Sequence, residues 1–196
     1  MYIATTFLCC KFCGIHYVRL HMNTPCHSRW LIASTAALLI KPEVYGTARM
    51  LGKIDVELHD KNTEFRELRN DVASITPSQW EKIHDSAALS HLWILGAFEL
   101  VRTLNQSLHA ETSLPREVTE RCRELKHQSE RVRMPLAKVE APNRHHQTDC
   151  GVAYLALSAT HGLGWKVTDN DFISRDQLGI ELLEFLEYAR AKQREA

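Results

Sequence analysis

The spacing of apolar residues predicts a chain that is mostly helical. The densest apolar stretch runs from Ala88 to Ala110, and between Leu92 and Val101 only Glu99 is charged. At roughly 100° per residue these apolar positions point in every direction around a helix, which is typical of a helix buried on most sides. We therefore predict a central core helix with a buried middle and polar ends. Its apolar run is about 10 residues, half of the roughly 20 that a bilayer requires, so no membrane span is expected.

Start and stop signals place further helices on both sides of this one. Thr76-Pro77 predicts an N-cap followed by Pro at the first helical position, which opens a helix running on toward the central stretch. Pro115 opens the next helix, and Pro135 and Pro142 are expected to end it. This helix has a sparse apolar seam, typical of a helix packed along one edge or against a second subunit; the seam consists of Val118, Cys122, Leu125 and Val132.

The N-terminal half gives less regular patterns. Residues 30–40 predict a short apolar helix that Pro42 stops or kinks. Residues 44–60 fit both strand alternation and helical spacing, and we favour a helix. Residues 63–72 predict a separate short amphipathic helix.

The C-terminal part changes character before a final helix. Two short β-prone runs, within 152–157 and 163–167, flank His161-Gly162 and predict a small hairpin. Ser174 and Gln177 form a capping box that opens the last helix. The fold class that follows is mainly α, a helical bundle-like domain with a small β-hairpin before the C-terminal helix.

One domain over residues 22–196 suits the length of the chain. Residues 1–21 differ from the rest, because they are rich in Cys and aromatic residues and have no helical periodicity. We interpret them as a leader of uncertain order and hypothesise that Met22 is the natural start, so that the sequence begins upstream of it.

The amino-acid composition limits the kinds of partner and cofactor that we expect for this chain. The 24 basic and 24 acidic side chains cancel, so no global field favours nucleic acid or an acidic membrane. Six irregularly spaced cysteines suit free thiols in a reducing cytosol, which predicts a cytoplasmic protein. No nucleotide-binding or catalytic motif is recognised, and we expect no cofactor.

One cysteine cluster has part of the pattern of a metal site. Cys10 and Cys13 have the spacing that lets two sulfurs reach one zinc ion. The candidate second half, Cys26 and His27, is adjacent in sequence, and adjacent side chains seldom converge on one ion. We therefore predict no metal and keep these four residues as weak candidates.

Two residues of the central helix suggest an enzymatic alternative. Arg102 and His109 lie on one helical face, with Glu99 one turn before Arg102. Their spacing resembles the Arg-x4–6-His motif of HEPN-type ribonucleases, although Thr103 stands where that family usually has Asn, Asp or His. The resemblance implies a metal-independent nuclease in which Arg102 stabilises the phosphate and His109 transfers a proton at a dimer cleft. The alternative without a catalytic role is an ordinary intrahelical ion pair between Glu99 and Arg102.

The segment 116–146 suggests a third function. It carries a local excess of basic residues that could contact phosphates, although acidic residues alternate with them as on an ordinary solvated face. The weak nucleic-acid candidates are Arg121, Arg123, Lys126, Arg131 and Arg133.

Taken as a whole, the sequence favours a non-enzymatic interaction or regulatory protein that self-associates through helices, as a homodimer. The sparse seam on the 116–133 helix beside the apolar central helix is the reason for this prediction. A HEPN-like nuclease is the first alternative and binding of nucleic acid, which we expect to be unlikely, is the second. A different protein is also a suitable partner.

Overall fold

The computed structural model describes residues 24–67, 75–110, 114–158 and 160–195. Its elements in chain order are α1 (Thr24–Ala33), α2 (Thr35–Ile40), α3 (Tyr45–Glu67), α4 (Pro77–Ala110), α5 (Arg116–Lys138), β1 (Tyr154–Ser158), β2 (Gly162–Lys166), β3 (Phe172–Ser174) and α6 (Arg175–Glu195). Short 3₁₀ turns cover Pro42–Val44 and Asn143–His145. The prediction of a mainly α fold with a small hairpin before the last helix is confirmed.

The capping signal at Thr76 acts as predicted. The Gln79 backbone N–H donates to Thr76 Oγ1 at 3.3 Å, and the Thr76 N–H donates to Gln79 Oε1 at 2.8 Å. This reciprocal pair satisfies two backbone donors at the start of α4. At the start of α6 only half of the predicted capping box forms, because the Gln177 N–H donates to Ser174 Oγ at 3.4 Å but the Gln177 side chain donates to Glu181.

Three helix boundaries differ from their predictions. Residues 30–40 are divided between α1 and α2 at Ser34, where the Ser34 and Thr35 hydroxyls donate to the Leu31 and Ile32 carbonyl oxygens. Such bonds compete with regular helical pairing. The helix predicted over 63–72 is not separate, because its described part continues α3, and residues 68–72 lie outside the described residues.

Pro135 lies inside α5 and does not end it. Proline removes one backbone donor, but its fixed φ is compatible with a helix. Here the ring is buried, and the last turn closes when the Val139 N–H donates to the Pro135 carbonyl at 3.2 Å. The helix then stops because Val139 has a left-handed φ of 58°.

The predicted hairpin is part of a three-stranded antiparallel sheet in the order β1-β2-β3. Ser158 pairs with Gly162 at the turn, and Gly162 has a φ of +69°, a conformation that glycine adopts without strain. The third strand was not predicted because it has only three residues.

The core is organised around α4, which packs against α3 on one side and α5 on the other. The apolar seam of α5 is buried within the protomer, since Val118, Cys122, Leu125 and Val132 are all 5% exposed or less. The Cys122 thiol lies 3.6 Å from the Val101 carbonyl of α4, and burial raises its pKa to about 12. The seam is therefore used inside the chain and does not provide the subunit interface that the sequence suggested.

A charged network is buried where α1, α3, α4 and α6 meet. The Arg175 side chain is 2% exposed and donates to Asp55 Oδ1 at 2.7 Å and to Asp176 Oδ1 at 2.5 Å. Trp30 Nε1 donates to the second Asp55 oxygen at 3.0 Å. The guanidinium carbon also lies 5.2 Å from the centroid of the Trp93 ring. Every charge in this network has an opposite charge and hydrogen bonds, which is the condition for burying it.

Asn62 connects the network to the sheet. Its amide nitrogen donates to Asp176 Oδ2 at 2.6 Å, and its oxygen accepts from the Leu163 N–H at 2.7 Å. His59 Nδ1 lies 3.4 Å from the same Asp176 oxygen, with 35% of the His59 side chain exposed. The network therefore joins helices and sheet and reaches solvent at His59.

The network gives stability a defined pH window. Burial raises the pKa of Asp176, but hydrogen bonds from His59, Arg175 and Asn62 outweigh burial and lower this pKa from 3.8 to about 2. The stabilisation by Asp176 is therefore present above about pH 4 and is lost as the pH falls toward 2. The hydrogen bond to Asp176 raises the pKa of His59 above 6.5, so the His59 contribution is complete below pH 6.5 and is lost at higher pH.

We expect the loss of stability in Asp176→Asn to be largest between these limits, near pH 5. Urea midpoints of wild type and variant at pH 3, 5 and 8 measure this difference. A difference that is the same at all three pH values would contradict the proposed ionisation states.

Candidate interaction surface

Two large apolar side chains are exposed on the α3–α4 hairpin, one on each helix. Met50 of α3 is 62% exposed and Leu92 of α4 is 66% exposed. Ile54 and Leu89 are partly buried and pack against the core beside them. We call these four residues the α3–α4 face.

The register of the two helices places these side chains within about one or two turns of one another. Trp93 Nε1 donates to the Leu51 carbonyl at 3.2 Å, and a Cβ added at Gly96 would lie 3.0 Å from Leu51 Cδ2. Because α3 and α4 are antiparallel, Ile54 is level with Leu92. Met50 directly precedes the buried residue Leu51, and Leu92 directly precedes the buried residue Trp93. Neighbouring residues of a helix point about 100° apart, so both Met50 and Leu92 turn toward solvent.

The charged residues that flank the α3–α4 face differ in sign along its length. Lys53 directly precedes Ile54 and is therefore level with Leu92, and Asp85 lies two turns before Leu92. Both side chains are exposed, and within the described ranges neither forms an ion pair. A basic residue therefore lies beside the middle of the face, and an acidic residue lies beyond Leu89 at one end.

The predicted nuclease residues lie near one another on α4 without forming a joint site. Arg102 Nε donates to Glu99 Oε2 at 2.8 Å, with both side chains about half exposed. This is the intrahelical ion pair that we expected as the alternative to a catalytic role. His109 is exposed, and its Nδ1 lies 2.7 Å from the Asn105 carbonyl oxygen.

Two of the arginines predicted to bind nucleic acid contact other residues of the protein instead. Arg131 makes two hydrogen bonds to Asp149, at 2.7 and 2.9 Å, and an ion pair with Asp171 at 2.6 Å. Arg133 lies over the Phe98 ring and 3.5 Å from Glu99.

The three remaining candidates are less constrained. Arg121 lies over the Tyr188 ring at 4.0 Å, and Lys126 lies 3.9 Å from Glu130. Arg123 is exposed beside His109 at a shallow hollow. The basic segment therefore does not present its cations as one surface.

The candidate metal ligands are only partly within the described residues. Cys10 and Cys13 lie outside them, whereas Cys26 and His27 belong to the first turn of α1. Burial and the Asp55 charge raise the pKa of the Cys26 thiol, which disfavours the thiolate that zinc binds. Over the described ranges, no group of three or more His, Cys, Asp or Glu side chains is arranged to hold a metal ion.

Sequence reasoning missed Met50 and Leu92 as surface residues. Leu92 was assigned to the buried middle of α4, and that expectation is wrong for this residue.

Among the described residues, α4 is also the one helix long and apolar enough to cross a membrane by length and composition, and half of its most apolar window is buried inside the fold.

Comparison of the chain with known protein families, with curated proteins and with solved structures found no match.

Proposed function

We propose that this chain acts as a non-enzymatic interaction protein that self-associates through the α3–α4 face. The exposure of Met50 and Leu92 on paired helices supports the proposal most directly. Apolar side chains clustered on a surface, with charged residues around them, are typical of protein interfaces. Two copies related by a two-fold axis would cover this face on both.

The charges around the face favour a second copy of the chain as the partner. In an antiparallel arrangement of two copies, Lys53 of one copy can lie against Asp85 of the other. Each copy supplies both the apolar patch and the two opposite charges, so the surface is complementary to itself. Such complementarity fixes the orientation of the partner more than it adds affinity.

We expect Leu92→Glu to convert the protein to a monomer, because it places a charge at the centre of an apolar contact. Light scattering coupled to size exclusion at micromolar concentration measures the mass. Leu39→Glu is the matched control, since Leu39 is 65% exposed on α2 and should leave the mass unchanged. A wild-type monomer under these conditions, or equal losses in both variants, would refute the proposal.

Charge reversal tests the orientation separately. Lys53→Glu and Asp85→Lys should each weaken association, because each brings like charges together in the antiparallel dimer. The double variant should restore it, because the attraction returns with its sign exchanged. An additive loss in the double variant would exclude this orientation while leaving the Leu92 result to decide the use of the face.

A further inference from the structure

A second feature, unrelated to the α3–α4 face, gathers cationic and imidazole side chains at the C-terminal half of α5. Lys126, His127 and Glu130 of this helix face Arg144 and His145 of the 3₁₀ turn that follows it. Together with Asn143 they provide the polar lining of a hollow of about 240 Å³. We call this the α5 hollow.

The Arg144 guanidinium contacts His127 of α5. Arg144 Nη1 lies 3.0 Å from His127 Nε2. Because an arginine side chain can only donate, His127 Nε2 must accept and the imidazole proton must lie on Nδ1. Nδ1 in turn lies 3.5 Å from Glu130 Oε2. Burial and the Arg144 charge lower the pKa of His127, so the imidazole stays neutral and keeps this role at neutral pH.

The α5 hollow contains more positive than negative charge. Its one carboxylate, Glu130, lies 3.9 Å from Lys126 and 3.5 Å from His127. Over the described ranges Arg144 forms no ion pair with a carboxylate, and its side chain is exposed. The nearby acid Asp149 is held by both of the Arg131 hydrogen bonds and is buried. The Arg144 guanidinium therefore lies beside His127 without a carboxylate to neutralise it.

Arg144 also borders a second hollow of about 400 Å³, which His146, Gln147 and Thr148 help to line. A guanidinium has five N–H donors in one plane and binds phosphate oxygens in pairs. One donor is directed to His127, which leaves the others for a ligand. Two hollows that share Arg144 as a lining residue suit a ligand with two linked phosphate groups.

We propose that the α5 hollow binds the phosphate or diphosphate group of a small molecule. Arg144 is the principal ligand, Lys126 supplies the second cation, and His127 with Glu130 positions Arg144. Nucleic acid is the less suitable ligand, because the cations that would continue a phosphate track along α5, Arg131 and Arg133, are engaged within the protein.

Calorimetric titration of the full chain with pyrophosphate tests the proposal. We expect wild type to bind, and Arg144→Gln and Lys126→Gln each to bind about tenfold or more weakly, because each loses a charge-assisted contact. Arg123→Gln is the matched control on the same helix, and it should bind as wild type does. Arg144 is exposed, so the thermal midpoint of its variant should not change and folding is separated from binding.

The positioning role has its own test. His127→Gln keeps a side-chain acceptor for Arg144 and should retain more affinity than His127→Leu, which removes it. Absence of binding by wild type, equal loss in Arg123→Gln, or binding of a single-stranded oligonucleotide without binding of pyrophosphate would each overturn the proposal. Since none of these residues belongs to the α3–α4 face, failure here leaves the self-association proposal intact.

Discussion

Replacing Asp55 with Ala should reduce the free energy of unfolding by about 3–5 kcal/mol, the usual result of removing one partner of a buried ion pair. The variant leaves the Arg175 guanidinium, which is 2% exposed, with one carboxylate in place of two. It also removes the acceptor of the buried Trp30 N–H. Urea denaturation followed by tryptophan fluorescence measures the change.

Two further substitutions separate the causes of this loss. Asp55→Asn keeps an acceptor for Trp30 but removes the charge, so its loss should be smaller than that of Asp55→Ala. Asp169→Ala removes a carboxylate that is 99% exposed, and its effect should stay within about 0.5 kcal/mol. If Asp55→Ala were as mild as Asp169→Ala, Arg175 could not depend on Asp55 for its charge compensation.

The second large effect is expected at Gly179, in the first turns of α6. A Cβ at this position would lie 2.1 Å from Asp55 Oδ1. Asp55 cannot move away without breaking its bonds to Arg175 and Trp30. Gly179→Ala should therefore destabilise the protein by about 1–3 kcal/mol, as inserting an atom into a packed interior does.

Gly46 provides the matched control for Gly179. It is also a helical glycine, and a Cβ there would have nothing within 4 Å. Gly46→Ala should stabilise the protein by about 0.5–1 kcal/mol, because alanine has the higher helix propensity. Thermal midpoints of the two variants should therefore move in opposite directions, and a gain in both would show that the contact at Gly179 relaxes freely.

The sequence predicted those parts of the fold that depend on local signals. Thr76-Pro77 and Ser174 begin helices because their capping bonds reach only three residues along the chain. The alternation around Gly162 predicted β1 and β2 for the same reason. Pro135 misled the prediction, since burial of its ring within α5 is a tertiary contact that no local rule describes.

The charged core could not be predicted, because its partners are distant in sequence. Arg175 lies 120 residues after Asp55, and its immediate neighbours read as an ordinary helix start. The two candidate sites could not be predicted either, because both depend on how the helices pack. Exposure of Leu92 depends on how α4 is rotated against α3, and the meeting of His127 with Arg144 depends on how the chain turns back after α5. Lys126 alone was among the predicted binding residues of the α5 hollow.

The distance between the members of the charged network also bears on how the protein is made. During translation, Trp30, Asp55 and Asn62 leave the ribosome long before Arg175 and Asp176. Asn62, for example, precedes its partner Asp176 by 114 residues. Helices α3 to α5 can begin to pair as they emerge, because their contacts are local in sequence. Their acidic and amide groups acquire the arginine they surround only when α6 is released. Completion of the core is therefore a late step of folding, and α6 supplies the charge that permits it.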